Sequence, residues 1–454
     1  MSTIWKAKGR EYDELSGDIE CEVAIVGGGI AGLWCAYHLA KAGKKICILE
    51  AKMIGSGVTA GSSAILTYAQ DIIYSTLNKE TAKQYLQDAQ TAMAKINKIF
   101  PHLEPIKFHL FTTKKRGLRA LKKEKTAYRE LGIKTNIATK LDLPYPIKGA
   151  LQFDAFQFNP LELVRFLAGE VTKMGGKIYE GALVTETPDG TTLRVDKHTI
   201  TAKNFIVATH FPYTIAAGLY WLKMWQDQNY CIAFKPPKNS PDFCVGTSYE
   251  SIDETGYEYR RVGENILIDG ASVRVGKAKR NNYKTMDKHL AKHFNSPKQV
   301  ARFASQDCMT MDKLPYAGQY SHFADNVFVV TGFNKWGMTS SYTCAKVVTD
   351  IILGKKIENN IYEPQRFALV INPMNTATHV GNVFMAFLRR LLPGPVCSHM
   401  GCRLRWNRGT GTWDCPCHGS RFDKKGEIIN GPATSRIQLK GCRGNCRGCK
   451  GKCA

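Results

Sequence analysis

Apolar positions along the chain fall into blocks with different periods. Residues 21–26 form a short, almost unbroken apolar run of strand type, and a glycine-rich hexad, Gly27-Gly28-Gly29-Ile30-Ala31-Gly32, follows at once. Residues 33–42 then carry apolar side chains at helical spacing as far as Gly43, and residues 46–49 form a second strand-like run closing on Glu50. The pattern predicts a strand–helix–strand unit. Further along, residues 205–222 are the most apolar long stretch, but His210 and Pro212 interrupt it. A strand followed by a short helix is expected there rather than a membrane span. Residues 257–262 and 266–270 read as neighbouring strands across a glycine-containing turn, and residues 384–390 read as helical.

Composition bounds this picture. A chain of 454 residues is too long for one ordinary core, so two or three domains are expected. With 44% hydrophobic and 22% charged residues, wholesale disorder is excluded. The first 20 residues are polar and acid-containing, without an apolar run before a small-residue cleavage site. A soluble, cytoplasmic protein without a membrane span is the expectation. The net charge is +24, yet no nucleic-acid fold signature accompanies it. The charge is read instead as steering for an acidic electron carrier, such as a ferredoxin or flavodoxin. From Gly381 onward fourteen Lys and Arg face three Asp and Glu, so the positive charge is densest at the C-terminal end.

Cysteine usage divides the chain in the same way. Seven of the 15 cysteines, at 21, 35, 47, 231, 244, 308 and 344, lie mostly in apolar segments and are expected to be buried free thiols. The other eight crowd into the last 60 or so residues, marking a chemically specialised end.

The glycine hexad has the G-x-G-x-x-G spacing inside its strand–helix–strand context, with an acid about 18 residues beyond the last glycine. Gly27 allows a tight turn, Gly29 lets the backbone approach a pyrophosphate at a helix N-terminus, and Gly32 permits close helix–strand packing. Glu50 can bind a ribose hydroxyl. This predicts a dinucleotide site without deciding between FAD and NAD.

The segments that follow decide for FAD through a resemblance. Residues 54–63, which include Ser62 and Ser63, resemble the small-residue segment after the ribose acid in the D-amino-acid-oxidase-like (glycine-oxidase-like) FAD-dependent oxidoreductases. Residues 149–160, 175–184, 205–210, 312–318 and 332–339 resemble, in order, further segments of that family. The resemblance implies an α/β fold: a Rossmann-type FAD-binding domain built from residues 20–80, 150–210 and 310–355, with an antiparallel-sheet substrate domain from 81–149 and 211–309. Residues 1–19 precede this unit, which runs over 20–358. Val184 is implied beside the adenine, Ala208 beneath the cofactor, and Gly332, Gly337, Met338 and Thr339 beside the isoalloxazine.

The sharpest constellation lies at 397–418. Cys397-Ser398-His399 is followed, fifteen residues later, by Cys415-Pro416-Cys417-His418. Two Cys and two His can hold zinc, but a finger pairs its cysteines in one knuckle and its histidines in another. Here each short loop offers one Cys and one His, which suits a [2Fe–2S] cluster with two thiolates on one iron and two imidazoles on the other. These loops resemble those of the Rieske family. That resemblance implies Cys397 and Cys415 on one iron, His399 and His418 on the other, and a disulfide between Cys402 and Cys417. It also places the Ser420 hydroxyl near a cluster sulfur and residues 431–433 as a covering proline loop. Phe422 stands where a tyrosine often occurs, so a mid-range potential is expected. Few strand-type residues precede the first loop, so a reduced, small all-β domain at 391–440 is expected. It would follow a helix-bearing linker at 359–390 and lean on the flavin domain. The whole layout resembles a bacterial group that fuses a D-amino-acid-oxidase-like domain to a C-terminal Rieske domain.

Residues 441–454 form a basic tail in which Cys442, Cys446, Cys449 and Cys453 could bind zinc or a second iron–sulfur cluster, or remain a flexible tail. The expected activity is oxidation of a small organic substrate, an amine or amino acid, by an FAD-dependent dehydrogenase that exchanges electrons with the Rieske cluster. A redox-sensing or scaffold protein, and an oxygen-consuming oxidase, are the alternatives. No general base stands out; His210, Tyr257, Tyr259, Arg260 and Arg274 are candidates by polarity and segment.

Overall fold

Near-continuous apolar runs make parallel strands that are covered on both faces, and such runs build the first sheet. The computed structural model describes residues 3–6, 11–214, 217–236, 242–254, 256–366 and 373–439. Strand β1 (Ile19–Val26) leads into helix α1 (Ile30–Lys41) and strand β2 (Ile46–Glu50), with β1 and β2 parallel. Around this unit the Lys177–Glu180, His198–Val207 and Val327–Thr331 strands extend a parallel sheet, with Tyr316–Gln319 antiparallel at one edge. Helix α1 and the Pro160–Lys173 and Gly337–Ile352 helices bury Leu33, Trp34, Leu167 and Val348 against one face of this sheet. Asn159 caps the Pro160–Lys173 helix through Leu161 N, with Pro160 fitting its first turn.

A second, nine-stranded sheet curls over the first. From one edge it runs Gln299–Thr310, Met224–Phe234, Asn265–Arg274, Tyr257–Val262 and Thr247–Ser251. Pairing is antiparallel except between Thr247–Ser251 and Glu104–Thr112. The Asn282–Phe294 helix covers the outer face with Tyr283, Met286, Leu290 and Phe294. One expected partition changes: the Gly149–Gln157 and Ile65–Leu66 strands belong to this second sheet, not to the cofactor sheet. The alternating burial of Gly149–Gln157 suits an antiparallel partner in Glu104–Thr112 rather than a parallel core strand.

At the C-terminal end the Pro373–Leu388 helix precedes a four-stranded antiparallel meander of Arg405–Asn407, Thr412–Asp414, Arg421–Phe422 and Ile428–Asn430. Its small core gathers Cys397, Cys402, Leu404, Cys415, Cys417 and Phe422, with Ala386 of the preceding helix packed against them. The cysteines at 442, 446, 449 and 453 lie outside the described residues. Among the described residues no helix is long and apolar enough to cross a membrane.

Candidate functional site

Three glycines shape the turn after β1, each in a different way. Gly27 has φ +112°, and a Cβ there would stand 2.5 Å from the Ala208 carbonyl oxygen. A Cβ on Gly32 would stand 1.9 Å from the Gly27 oxygen, so helix and turn touch backbone to backbone. Gly29 differs: a Cβ there meets nothing closer than Thr59 Oγ1 at 3.5 Å. Protein packing does not demand glycine at that position, whereas a ligand lying against the turn does. Gly29 has no side chain to cap α1; Thr59 Oγ1 accepts from Ile30 N at 3.2 Å, and Gly29, Ile30 and Ala31 line the cavity at the N-terminal end of the helix. Glu50 closes β2 and accepts from Gly28 N at 2.7 Å and Lys52 N at 2.9 Å, and burial pushes its carboxyl up.

These residues open onto a cavity of about 540 Å³. The fold brings Gly27, Gly29, Glu50, Ser62, Ser63, Val184, Ala208, Gly337 and Met338 to its wall. Gly32, Gly332 and Thr339 stand behind it. Gly332, at φ +75°, turns the chain against Thr310, and the Thr339 hydroxyl donates to the Thr67 carbonyl.

The inner face of the second sheet supplies the other wall, and it is acidic. Glu250 pairs across strands with Glu258, and Glu258 with Asp269, so three carboxylates lie side by side. Asp307 lies further across the sheet and accepts from Asn229 Nδ2 at 2.8 Å. Burial raises all four carboxyls, Glu258 to about 7 and Asp307 to about 6. Lys335, from the loop before the Gly337–Ile352 helix, projects into the same cavity. Burial lowers its value, but Asp307, Glu250 and Asp269 outweigh that and hold the ammonium above its usual range.

Of the polar residues named as candidate bases, only His210 lines this cavity; burial lowers its imidazole to about 4. Tyr257 and Tyr259 flank Glu258 and therefore point to the opposite face, where both rings meet His289. The Arg260 guanidinium donates to the carbonyls of Ser63, Ala64 and Phe158. Arg274 donates to the Cys417 carbonyl at 3.3 Å and contacts His379 Nδ1 at 2.8 Å. The acids that do face the cavity carried one sequence signal: period-two alternation through 257–262 puts Glu258 opposite in direction to the two tyrosines. Their convergence is set by cross-strand register and has no local signature.

The second centre sits at the edge of the first. Two similar knuckles present its residues: Gly401 N donates to Cys397 O, and Gly419 N to Cys415 O. A disulfide joins Cys402 to Cys417. Cys397 and Cys415 are buried, and their sulfurs share a hydrogen bond that lowers the Cys397 thiol to about 7. The rings of His399 and His418 lie 5.2 Å apart, and both nitrogens of each are buried without a hydrogen-bond partner. Four orphaned imidazole nitrogens beside two adjacent thiols fit a [2Fe–2S] cluster, which would satisfy one nitrogen of each ring.

The two centres are tied by buried polar contacts. Gln226 Nε2 donates to His418 O at 2.7 Å, and Gln306 Nε2 to Gly419 O at 2.8 Å. Asn407 Nδ2 reaches Gln228 Oε1 and the Tyr230 hydroxyl, both at 2.9 Å. A Cβ on Gly276 would stand 2.5 Å from Pro416 N. Residues 427–434 of the small sheet and its loop line the large cavity, and Lys52 Nζ donates to Ile429 O at 3.0 Å. Phe211 also lines that cavity, and its ring centre lies 6.0 Å from the His418 ring.

Comparison with known proteins agrees with this geometry. Residues 22–351 match the family model described as FAD dependent oxidoreductase (DAO), and residues 393–440 match the Rieske [2Fe-2S] domain. YhfW of Bacillus subtilis (strain 168), named as a Rieske 2Fe-2S iron-sulfur protein, is 30% identical over 96% of this chain and 97% of its own. Gamma-glutamylputrescine oxidoreductase of Escherichia coli (strain K12) is 24% identical over 78% of this chain and 89% of its own. In fold, the chain resembles glycine oxidase from Geobacillus kaustophilus, with a TM-score of 0.63 and 19% identity over 77% of this chain and 99% of that one. The chain therefore belongs to the DAO family of FAD-dependent oxidoreductases and carries a Rieske [2Fe–2S] domain toward its C-terminal end.

Proposed function

We propose that this protein is a dehydrogenase: it oxidises a small amine or amino acid at the FAD site and passes the electrons one at a time through the Rieske centre to an external acidic carrier. The observation that carries this reading is Phe211, which lines the cofactor cavity while its ring lies 6.0 Å from that of His418. The docking contacts of Gln226 and Gln306 hold that spacing. Gly27, Gly29 and the N-terminus of α1 would hold the pyrophosphate, Glu50 the ribose, and residues 182–184 would lie against the adenine. Cys397 and Cys415 would ligate one iron and His399 and His418 the other. FAD supplies a two-electron acceptor and the cluster a one-electron relay, while the protein's share is placement and electrostatics. The substrate gives up two electrons and its released protons, and two equivalents of the oxidised carrier take the electrons. The names of the relatives, which include an amine oxidoreductase and an amino-acid oxidase, support this substrate class.

Anaerobic stopped-flow mixing of the holoenzyme with substrate tests the coupling. Flavin bleaching is expected to be followed by loss of the oxidised cluster's absorbance. A bleached flavin beside a cluster that stays oxidised overturns it. In air, stoichiometric peroxide would instead identify an oxidase.

A further inference from the structure

We infer that the substrate is a multiply charged cation, a diamine or related polyamine without a free carboxylate, held by the acidic face of the second sheet. This rests on the oxidative reading above and narrows its substrate class. Glu250, Glu258 and Asp269 stand directly opposite one another on three adjacent strands, and Asp307 lines the same cavity. Like charges facing across a ladder destabilise a sheet; here the carboxyls are held by raised proton affinity and by the single ammonium of Lys335, so a second cation entering the cavity would be favoured. Lys335 is the only Lys or Arg among the described residues at this end of the cavity, against four acids. FAD brings negative charge, not positive, and Glu50 already stands at the ribose end.

Asn229 gives an independent indication. It is 7% exposed and lines the cavity. Its amide nitrogen is committed to Asp307 at 2.8 Å, and its Oδ1 has no hydrogen-bond partner. The wall therefore offers one more acceptor that lacks a donor, and an ammonium group supplies donors. Leaving such an acceptor buried and unpaired costs ~1–3 kcal/mol.

The arginines that could bind a carboxylate are already engaged. Arg260 neighbours Glu258 in sequence, but it is 3% exposed and spends its guanidinium on the Ser63, Ala64 and Phe158 carbonyls. Arg274 is committed to the Cys417 carbonyl and His379. A substrate carboxylate would meet an acidic wall with Lys335 as its sole counter-charge, whereas a distal ammonium would meet carboxyl acceptors and the free Asn229 Oδ1.

The test compares two probes of similar length, 1,5-diaminopentane and 5-aminopentanoate, on the holoenzyme with both cofactors. Affinity is read from the flavin difference spectrum and turnover from kcat/KM with an artificial one-electron acceptor. The diamine is expected to bind at least ~10-fold more tightly, a difference of ~1.4 kcal/mol. Glu258→Gln and Asp269→Asn are each expected to erode that preference while flavin content and cluster spectrum stay unchanged. Equal or tighter binding of 5-aminopentanoate overturns the inference. So does a diamine that leaves the flavin spectrum unperturbed at millimolar concentration, or variants that retain both cofactors and the full preference. If the diamine binds selectively but never reduces the flavin, the ligand class stands and the oxidative reading falls. If 5-aminopentanoate is the better substrate and its electrons reach the cluster, the oxidative reading stands and this inference falls.

Discussion

At the residue scale, the glycines of the first turn separate folding from binding. Gly32 is required by the protein itself, because any Cβ would strike the Gly27 carbonyl oxygen at 1.9 Å. Gly32→Ala is therefore expected to destabilise the flavin-free protein by ~1–3 kcal/mol, measured as a loss of denaturation midpoint. Gly29→Ala should leave that midpoint nearly unchanged and instead weaken FAD by ~10-fold or more, read by fluorescence titration. Equal effects of the two substitutions on stability would contradict this division. Glu258 makes a second prediction. Its carboxyl rises from 4.5 to about 7, first through burial and then through Glu250. Ser63, Asp269 and Arg260 also face it, and Lys335 projects into the same cavity. A carboxyl raised on folding holds its proton better folded than unfolded, so its contribution is full below about 4.5 and lost as pH rises through about 7. The flavin-free protein should thus lose thermal stability across that window, and Glu258→Gln should flatten the loss by ~1 kcal/mol, since cavity water screens part of the effect. A melting profile whose pH slope is unaltered by the substitution would rule the assignment out.

At the scale of elements, legibility followed the range of the forces involved. The β1–α1–β2 unit could be read from the chain because its period change, turn glycines and terminal acid lie within 30 residues. The inner face of the second sheet could not, because the meeting of Glu250, Glu258 and Asp269 depends on pairing between strands. Reading polarity alone drew attention to Tyr257 and Tyr259, which the pleat turns to the opposite face. The docking of the small sheet was foreseen only in outline, from the shortage of strands before Cys397. Its means, Gln226 and Gln306 on adjacent antiparallel strands, lie 113 and more residues away from their acceptors. Gln226→Ala with Gln306→Ala should leave the His418 and Gly419 carbonyls buried and unpaired, at ~1–3 kcal/mol each. Faster hydrogen exchange around residues 415–433 and slower passage of electrons from flavin to cluster are expected together. Unchanged exchange and rate would show that the contacts do not hold the two centres.

At the scale of the whole molecule, the net charge of +24 acts on encounter more than on fold. From Gly381 onward the chain carries fourteen Lys and Arg against three Asp and Glu, and the proposed steering toward an acidic carrier would weaken as the Debye length falls from ~10 Å at 0.1 M salt to ~3 Å at 1 M. Reduction of an acidic ferredoxin or flavodoxin should therefore slow ~10-fold or more over that range, while bleaching of the flavin by substrate changes little. A carrier rate indifferent to salt would remove the charge from the mechanism. The two ends of the chain differ in the same sense. By itself the sequence determined the cofactor chemistry, because a pyrophosphate turn and a pair of Cys–His loops are local devices: their ligating atoms come from residues a few positions apart. It also implied the Cys402–Cys417 pairing through the family it resembles. Only the tertiary structure decided what stands over the flavin site and how near the cluster lies to it. Both are set by strand register and by contacts between residues more than a hundred positions apart, and no local pattern encodes which acid will face which.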